Sequence, residues 1–230
     1  MLVSDTHWNM TPNRRLAKYL AIREVPSLVC EAVNLEGVVM TLPEVQTILD
    51  GITVGGHKIS EQNMVINQAN TWKRIFELID ENKFEFKKTI AVELHKIAGK
   101  EESFEWGIFR SGNVSINGSD YEPPSPENLD ELWLKTESEV DLISDVYDKA
   151  IAVFLKMARD QFFWDVNKRM GRFMMNGILL NEGYPIINVP VKRQFEFNKL
   201  MLEFYSSNNI KDMNIFLRSC INDKIIANFK

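Results

Sequence analysis

Residues 161–172, QFFWDVNKRMGR, combine side chains that suit the binding of a phosphate-bearing ligand. Asp165 offers a hard oxygen ligand of the kind that holds Mg²⁺ jointly with phosphates. Lys168, Arg169 and Arg172 follow it at the start of a predicted helix, where the helix dipole disfavours cations unless an anion binds there. The spacing therefore predicts a cradle for the phosphates of a Mg-nucleotide.

A basic cluster at the start of a helix also has an ordinary explanation. Most such clusters are solvated surfaces, and composition alone favours that explanation here. The free backbone N–H groups of a helix N-terminus favour an anion site instead. Gly171 adds room for a close approach. The residues by themselves leave both explanations open.

The elements that would hold this segment are mostly helical, because apolar residues recur at helical spacing along most of the chain. We predict helices over 12–35, 42–51, 60–81, 84–98, 126–142, 143–160, the stretch after Val166, 193–206 and 210–228. The stretch 105–124 differs, because apolar and polar residues alternate around 111–113 and the chain then reaches Asn117-Gly118. That pattern predicts a β-hairpin in an otherwise helical protein.

Composition and charge narrow the classes of protein. With 230 residues and 45% hydrophobic content, the chain is long enough for one domain with a real core. A net charge of -5 gives no basic field for nucleic acid or an anionic membrane, and no apolar run approaches the roughly 20 residues of a membrane span. The N-terminus lacks a signal-peptide pattern, and Cys30 and Cys220 are too few for a disulfide framework. We therefore expect a cytoplasmic protein without nucleic-acid or membrane partners.

Segment 161–172 resembles the signature of the Fic (Fido) family, His-Pro-Phe-x-Asp-Gly-Asn-Gly/Lys-Arg-x-Gly-Arg. The matching residues are Phe163, Asp165, Asn167, Lys168, Arg169, Gly171 and Arg172. The stretch GIFRSGNVSINGSDYEPP resembles the family's flap hairpin, and LEGVVMTLPEVQTILDG resembles its N-terminal regulatory segment and the residues directly after that segment. The resemblance runs from about residue 30 to about residue 220, in the family's order.

The resemblance implies a fold and an activity. The fold is a mostly α-helical bundle with one β-hairpin flap and an N-terminal regulatory helix. It forms a single domain over 1–230, with a regulatory segment at 1–50 and a core at 60–230. The activity is transfer of AMP, or another phosphate-containing group, from a nucleotide to a protein hydroxyl. Mg²⁺ and ATP, or another nucleotide, are the implied cofactors.

The resemblance also implies a role for each matching residue. Asp165 would bind Mg²⁺, and Lys168 would contact a phosphate. Asn167, Arg169 and Gly171 would build the anion cradle, with Arg169 stabilising charge as electrostatic clamps do in phosphoryl transfer.

Two further sets of residues take roles by resemblance. Arg172 would grip the γ-phosphate of the nucleotide. The flap would register an extended segment of a target protein by adding it as a strand. The flap residues that the resemblance assigns to this role are Arg110, Ser111, Gly112 and Asn113.

Gln161 is the main departure from the family signature, because it lies where the family has its histidine. A carboxamide can hydrogen-bond the attacking hydroxyl, but it cannot accept the hydroxyl proton near neutral pH. Loss of a positioned base lowers the rate by about 10²–10⁴-fold. Phe162 replaces the family proline, and Val166 replaces the first glycine. The remaining histidines, which are His7, His57 and His95, read as surface or packing residues.

Glu36 falls where the family carries an inhibitory glutamate, in Ser/Thr-x-x-x-Glu-Gly/Asn. Here Glu36 and Gly37 are kept, but Ala32 stands at the Ser/Thr position. The resemblance implies a pair between Glu36 and Arg172 that occupies the donors needed by a γ-phosphate, and hence autoinhibition. An ordinary exposed acid at a helix end is the alternative.

The sequence leaves several functions open. The chain is an impaired relative of the protein adenylyltransferases (a pseudoenzyme), a working transferase with another base, or a nucleotide-gated protein-binding module. An engineered glutamine at 161 in an active enzyme is a further alternative. The nucleotide, the target protein and the oligomeric state are open as well, and a homo-oligomer is compatible with the sequence.

Overall fold

The computed structural model describes residues 4–230, which fold into ten α-helices. The helices are α1 (Arg14–Leu35), α2 (Leu42–Leu49), α3 (Ile59–Asp80), α4 (Lys88–Ala98), α5 (Leu129–Asp141), α6 (Val146–Asp160), α7 (Asn167–Asn181), α8 (Gln194–Ser207), α9 (Lys211–Arg218) and α10 (Asp223–Ala227). Short 3₁₀ turns at Pro126–Asn128 and Val191–Arg193 precede α5 and α8. The first three positions of the predicted regulatory segment lie outside the described residues. The mostly helical fold class is confirmed.

Helices α6 and α7 form the centre of the fold. Buried residues make up 11 of the 15 positions of α6 and 12 of the 15 positions of α7. The two helices pack closely at Gly171, where an added Cβ would lie 2.8 Å from the backbone oxygen of Phe154. The absence of a side chain at Gly171 therefore lets α6 and α7 pack closely. The space that a side chain would fill is taken by α6 and does not open into a ligand site.

The remaining helices surround this pair. Buried apolar residues from all ten helices form one contiguous cluster. The single domain expected over 1–230, with its division into a regulatory segment and a core, stays a prediction. Within residues 4–230, no helix combines the length and apolar character that a membrane crossing requires.

Local capping explains why some helix boundaries differ from the predicted ones. Helix α1 begins after Asn13, whose side chain accepts a hydrogen bond from the Leu16 N–H at 3.0 Å. The stretch predicted as one helix over 210–228 is two helices, because Asn222 caps a new start at α10. The helix predicted over 42–51 is confirmed as α2, which opens with a capping box.

The β-hairpin predicted over 105–124 is not confirmed. Among the described residues the only β-bridge joins Ser4 to Asp145, and the hairpin stretch is an irregular loop. Its backbone N–H groups donate to residues elsewhere in the fold and do not form the hydrogen bonds of a β-ladder. The Arg110 N–H donates to the Phe162 carbonyl at 3.0 Å, and the Gly107 N–H donates to a ring nitrogen of His95 at 3.1 Å. We call residues 109–121 the flap loop.

Candidate functional site

A cleft of about 430 Å³ opens above the start of α7. Its floor carries the predicted phosphate-binding segment, including Asp165, Lys168 and Arg169. One wall is the flap loop, and the other is α8 together with the end of α1. Both walls are partly apolar, with Ile116 on the flap loop and Met201 on α8. Most of the residues predicted from the motif therefore meet in one concave site.

The start of α7 presents three backbone donors. Val166 is the N-cap, but its side chain caps nothing. The Met170 N–H bonds to the Val166 carbonyl at 2.8 Å, whereas no acceptor within residues 4–230 reaches the N–H groups of residues 167–169. These N–H groups lie at the positive end of the helix dipole. The floor can therefore bind a ligand that only accepts hydrogen bonds, such as a phosphate.

The Asn167 side chain holds the loop that precedes α7. Its oxygen accepts a hydrogen bond from the Phe163 N–H at 2.9 Å, and its nitrogen donates to the Phe163 carbonyl at 2.7 Å. The same nitrogen donates to Oε1 of Gln161 at 3.0 Å. Because the side chain is buried, Asn167 presents its backbone N–H to the cleft and not its side-chain carboxamide.

Gln161 lies at the rim of the cleft with its carboxamide already bonded. Its Nε2 donates to the Ala158 carbonyl at 2.5 Å, and its Oε1 accepts from Asn167. Its backbone has φ of +51°, in the left-handed region that non-glycine residues rarely occupy. Gln161 therefore holds the end of α6 against the loop, and no proton-accepting group stands at this position.

Asp165 is the one motif carboxylate on the floor. It is exposed, and its Oδ1 accepts a hydrogen bond from the Val166 N–H at 2.6 Å. No group of three or more His, Cys, Asp or Glu residues in the described chain could hold a metal alone. Mg²⁺ is commonly held by one or two carboxylates together with substrate phosphates. A single carboxylate beside free backbone N–H groups is compatible with that mode of binding.

Glu36 extends from the end of α1 into the cationic side of the cleft. Its Oε1 lies 3.1 Å from the Arg172 guanidinium, and its Oε2 lies 3.5 Å from the Lys168 ammonium. Burial by itself would raise the pKa of the Glu36 carboxyl. The charges of Arg172, Lys168 and Arg169 outweigh burial and lower that pKa. The structure thus pairs Glu36 with the arginine that the motif assigns to a γ-phosphate.

The end of α1 is hydrogen-bonded to the first residue of α8 and to the 3₁₀ turn before that helix. Nε2 of Gln194 donates to the carbonyls of Asn34 at 3.3 Å and Leu35 at 3.2 Å. The Val191 N–H donates to the carboxylate of Glu31. Glu36, which follows directly, is therefore held by its neighbours as well as by Arg172.

Arg169 has a partner that the sequence did not predict. Its Nη2 lies 2.7 Å from Oε2 of Glu102, a residue in the turn after α4. Its Nε and Nη1 are buried without an acceptor among the described residues. Glu102 follows another glutamate at the end of a helix, which is too common a pattern to mark it from sequence.

The flap loop presents unpaired backbone donors and packs on the motif loop. Within the described chain, the N–H groups of residues 111–118 have no acceptor. An added Cβ on Gly112 would lie 2.5 Å from the Trp164 ring, so the loop rests on that ring. Ser111 and Asn113 are exposed. Arg110, in contrast, is buried and points inward, away from any surface that a target could touch.

None of the three histidines lines the cleft. His7 packs against Trp8, and His57 lies between two glutamates at the starts of α2 and α3. His95 is buried behind the motif loop, stacked on Phe163 with 3.8 Å between ring centroids. One of its ring nitrogens lies 3.3 Å from the Asp165 carbonyl. The prediction of a packing role fits the position of His95.

Part of the chain is similar to known proteins of one family. The model of the Fic/DOC family matches residues 85–179. Proteins named protein adenylyltransferase Fic are similar to the chain, with 28% identity over 197 residues in Drosophila erecta and 27% in Drosophila virilis. Each match covers 82% of this chain but only 39% of the relative, so the chain spans well under half of their length.

Two solved structures share the fold. Fic-1 from C. elegans superposes with a TM-score of 0.74 at 20% identity, covering 89% of this chain and 62% of the other. A Fic domain containing signaling protein from Bacteroides thetaiotaomicron superposes with a TM-score of 0.77 at 16% identity, covering 95% of this chain and 88% of the other. At these identities the likeness concerns the fold alone.

Proposed function

We propose that the cleft binds the phosphates of a Mg-nucleotide, with ATP as the first candidate, because residues 85–179 match the model of the Fic/DOC family. We further propose that the protein is a catalytically impaired relative of the protein adenylyltransferases. The observation that carries the binding proposal is the row of unpaired N–H groups at residues 167–169, beside Lys168 and above a single exposed carboxylate, Asp165. Donors, one cation and one hard oxygen are what a metal-bound polyphosphate needs.

The residues of the floor would divide the work. The N–H groups of 167–169 bind phosphate oxygens, Lys168 adds charge, and Asp165 offers an oxygen to Mg²⁺. Mg²⁺, when bound, neutralises charge on the phosphates. A γ-phosphate would need the Arg172 guanidinium, whose Nη2 now donates to Glu36. The proposed inhibition is therefore a competition between a carboxylate and a phosphate for one guanidinium.

Impaired catalysis follows from position 161. The attacking hydroxyl of a target must lose its proton, and Gln161 has neither the basicity nor a free amide group to take it. The unpaired N–H groups of residues 111–118 would bind an extended target segment through main-chain hydrogen bonds. Binding of nucleotide and protein without transfer would make the chain a nucleotide-gated binding module. A cytoplasmic location is part of the proposal, because both cysteines are free thiols.

Calorimetry with Mg-ATP tests the binding proposal. We expect weak binding by the wild type and at least about ten-fold tighter binding by Glu36→Gly, since a charged hydrogen bond to Arg172 no longer competes. Glu182→Gly is a matched control, because Glu182 also follows the last residue of a helix and precedes a glycine. It lies outside the cleft lining and should leave the affinity unchanged. No binding by any of the three proteins would overturn the cradle, and equal affinities would overturn the role of Glu36.

A further inference from the structure

Arg110 is a buried arginine at the base of the flap loop that phosphate binding does not use. Its side chain is 2% exposed and lies outside the lining of the cleft. Each of the three guanidinium nitrogens of Arg110 donates to a backbone carbonyl. The acceptors are Gln161 at 2.5 Å, Gly112 at 2.7 Å and Pro124.

The charge of Arg110 has no carboxylate partner. No acidic side chain within residues 4–230 lies in ion-pair distance of it, and burial lowers the pKa of its guanidinium. A buried charge carries a desolvation penalty, which hydrogen bonds to carbonyls offset only in part. Loss of the guanidinium would also leave three backbone carbonyls without this donor. What Arg110 contributes is therefore the geometry in which it holds these carbonyls together.

That geometry joins three separate stretches of chain at position 161. The guanidinium binds the Gln161 carbonyl, and the Arg110 N–H donates to the next carbonyl, that of Phe162, at 3.0 Å. One residue thus holds two consecutive carbonyls at the point where α6 ends in a left-handed turn. Its bonds to Gly112 and Pro124 tie the same point to both sides of the flap loop.

We propose that Arg110 is a positioning residue that fixes the backbone of residue 161 and couples it to the flap loop. A group at position 161, whether glutamine or a restored histidine, takes its orientation toward a docked target from this contact. The catalytic consequence rests on the proposed function, whereas the coupling itself does not.

Amide hydrogen exchange tests the coupling without any ligand. The N–H groups of Gln161 and Phe163 are hydrogen-bonded in the wild type, to the Met157 carbonyl and to Asn167. We expect Arg110→Met to speed exchange at both amides by about ten-fold relative to amides in α3, the scale of one charge-assisted hydrogen bond. Arg110→Lys keeps a cation that reaches fewer carbonyls, so its effect should be intermediate.

Arg218→Met is the matched control, because Arg218 is also buried but pairs with Asp145 and Asp148 away from the cleft. Arg218→Met should lower Tm. The exchange rates of the Gln161 and Phe163 amides, taken relative to amides in α3, should not change. If Arg110→Met does not fold, the Lys variant is the one measured. An unchanged ratio in the folded Arg110 variant would overturn the proposal.

A kinetic arm tests the catalytic consequence in a chain that carries Gln161→His and Glu36→Gly. Adding Arg110→Lys should lower kcat by about 10²-fold, as a misplaced group near the reacting atoms does, while KM for ATP stays within about two-fold. An unchanged kcat would overturn the positioning role. An inactive parent chain would count against the proposed function and would leave the exchange result as the test of the coupling.

Discussion

The Nη2 atom of Arg169 lies 2.7 Å from Oε2 of Glu102, and the two side chains are 6% and 11% exposed. Burial disfavours the charge on Arg169, but the hydrogen bond and the charge of Glu102 outweigh it and raise the pKa of the guanidinium. The other guanidinium nitrogens are buried without partners among the described residues. Glu102 is therefore the main group that holds Arg169 at the edge of the cleft.

Removal of Glu102 should be strongly destabilising. Glu102→Ala leaves a buried arginine without its carboxylate, which typically costs about 3–5 kcal/mol. Glu102→Gln keeps an oxygen that accepts the hydrogen bond and should lose less. Urea denaturation measures both losses. Glu139→Ala serves as the control, since Glu139 pairs with lysines at the surface and should lose less than about 1 kcal/mol. A loss for Glu102→Ala as small as that of the control would contradict the buried pair.

His95 should make the stability depend on pH in mildly acidic solution. Desolvation, together with the charge of Arg169, lowers the pKa of His95 to about 4, although its bond to the Asp165 carbonyl acts in the opposite direction. Below about pH 6.5, His95 is protonated in the unfolded chain but stays neutral in the folded chain. The free energy of unfolding therefore falls as pH drops from about 6.5 to about 4. The loss at pH 4 is as much as roughly 3 kcal/mol.

The wild-type curve alone does not isolate His95, because Asp160 titrates in the opposite direction. Burial raises the pKa of Asp160 to about 6, so its protonation stabilises the folded chain as pH falls. The measurement is the difference in unfolding free energy between wild type and His95→Phe, which keeps the stacking on Phe163. The unfolding free energy of the wild type minus that of His95→Phe should fall steadily from about pH 6.5 to about pH 4. A difference independent of pH would mean that folding does not lower the pKa of His95.

Val166 should be strained where the family signature has glycine. It is a buried β-branched residue with φ of +66°, and a left-handed conformation costs an L-residue roughly 1–2 kcal/mol. Val166→Ala and Val166→Gly lose the same side-chain packing beyond Cβ. Ordinarily the glycine variant is the less stable by about 0.5–1 kcal/mol. At position 166 we expect the reverse: Val166→Gly should be more stable than Val166→Ala by about 0.5–1 kcal/mol. Thermal or urea unfolding measures this difference.

The matched pair for this comparison is Val153→Ala and Val153→Gly. Val153 is buried in the interior of α6, a right-handed helix. At that position the alanine variant should be the more stable. The same order of stabilities at Val166 would show that its backbone carries no strain.

Local patterns in the sequence were enough for the helices and for the floor of the cleft. The helical spacing of apolar residues predicted the central pair, α6 and α7, because that spacing is what their packing requires. The position of Lys168 and Arg169 at a helix start predicted the free N–H groups on the floor of the cleft, because such groups are a property of every helix start, whereas their binding of phosphate stays a proposal.

Contacts between distant residues account for the features that the sequence did not predict. The stretch 105–124 has hairpin patterning, but the Phe162 carbonyl and His95 take backbone donors that a ladder would have used. Glu102 lies 67 positions from its arginine, and Arg110 lies 51 positions from Gln161. No periodicity connects such pairs, because only the packed fold brings them together.

The decisive measurement is transfer of label from ATP by Glu36→Gly with and without Gln161→His. If the cradle is intact and only the base is missing, the histidine should raise transfer to the chain itself or to another protein by at least about 10²-fold. Calorimetry should show the same Mg-ATP affinity with and without the histidine, because position 161 contributes to chemistry and not to phosphate binding. Equal binding with no transfer in either chain would contradict the account, since the loop shaped by Phe162 and Val166 would then be unable to place any base.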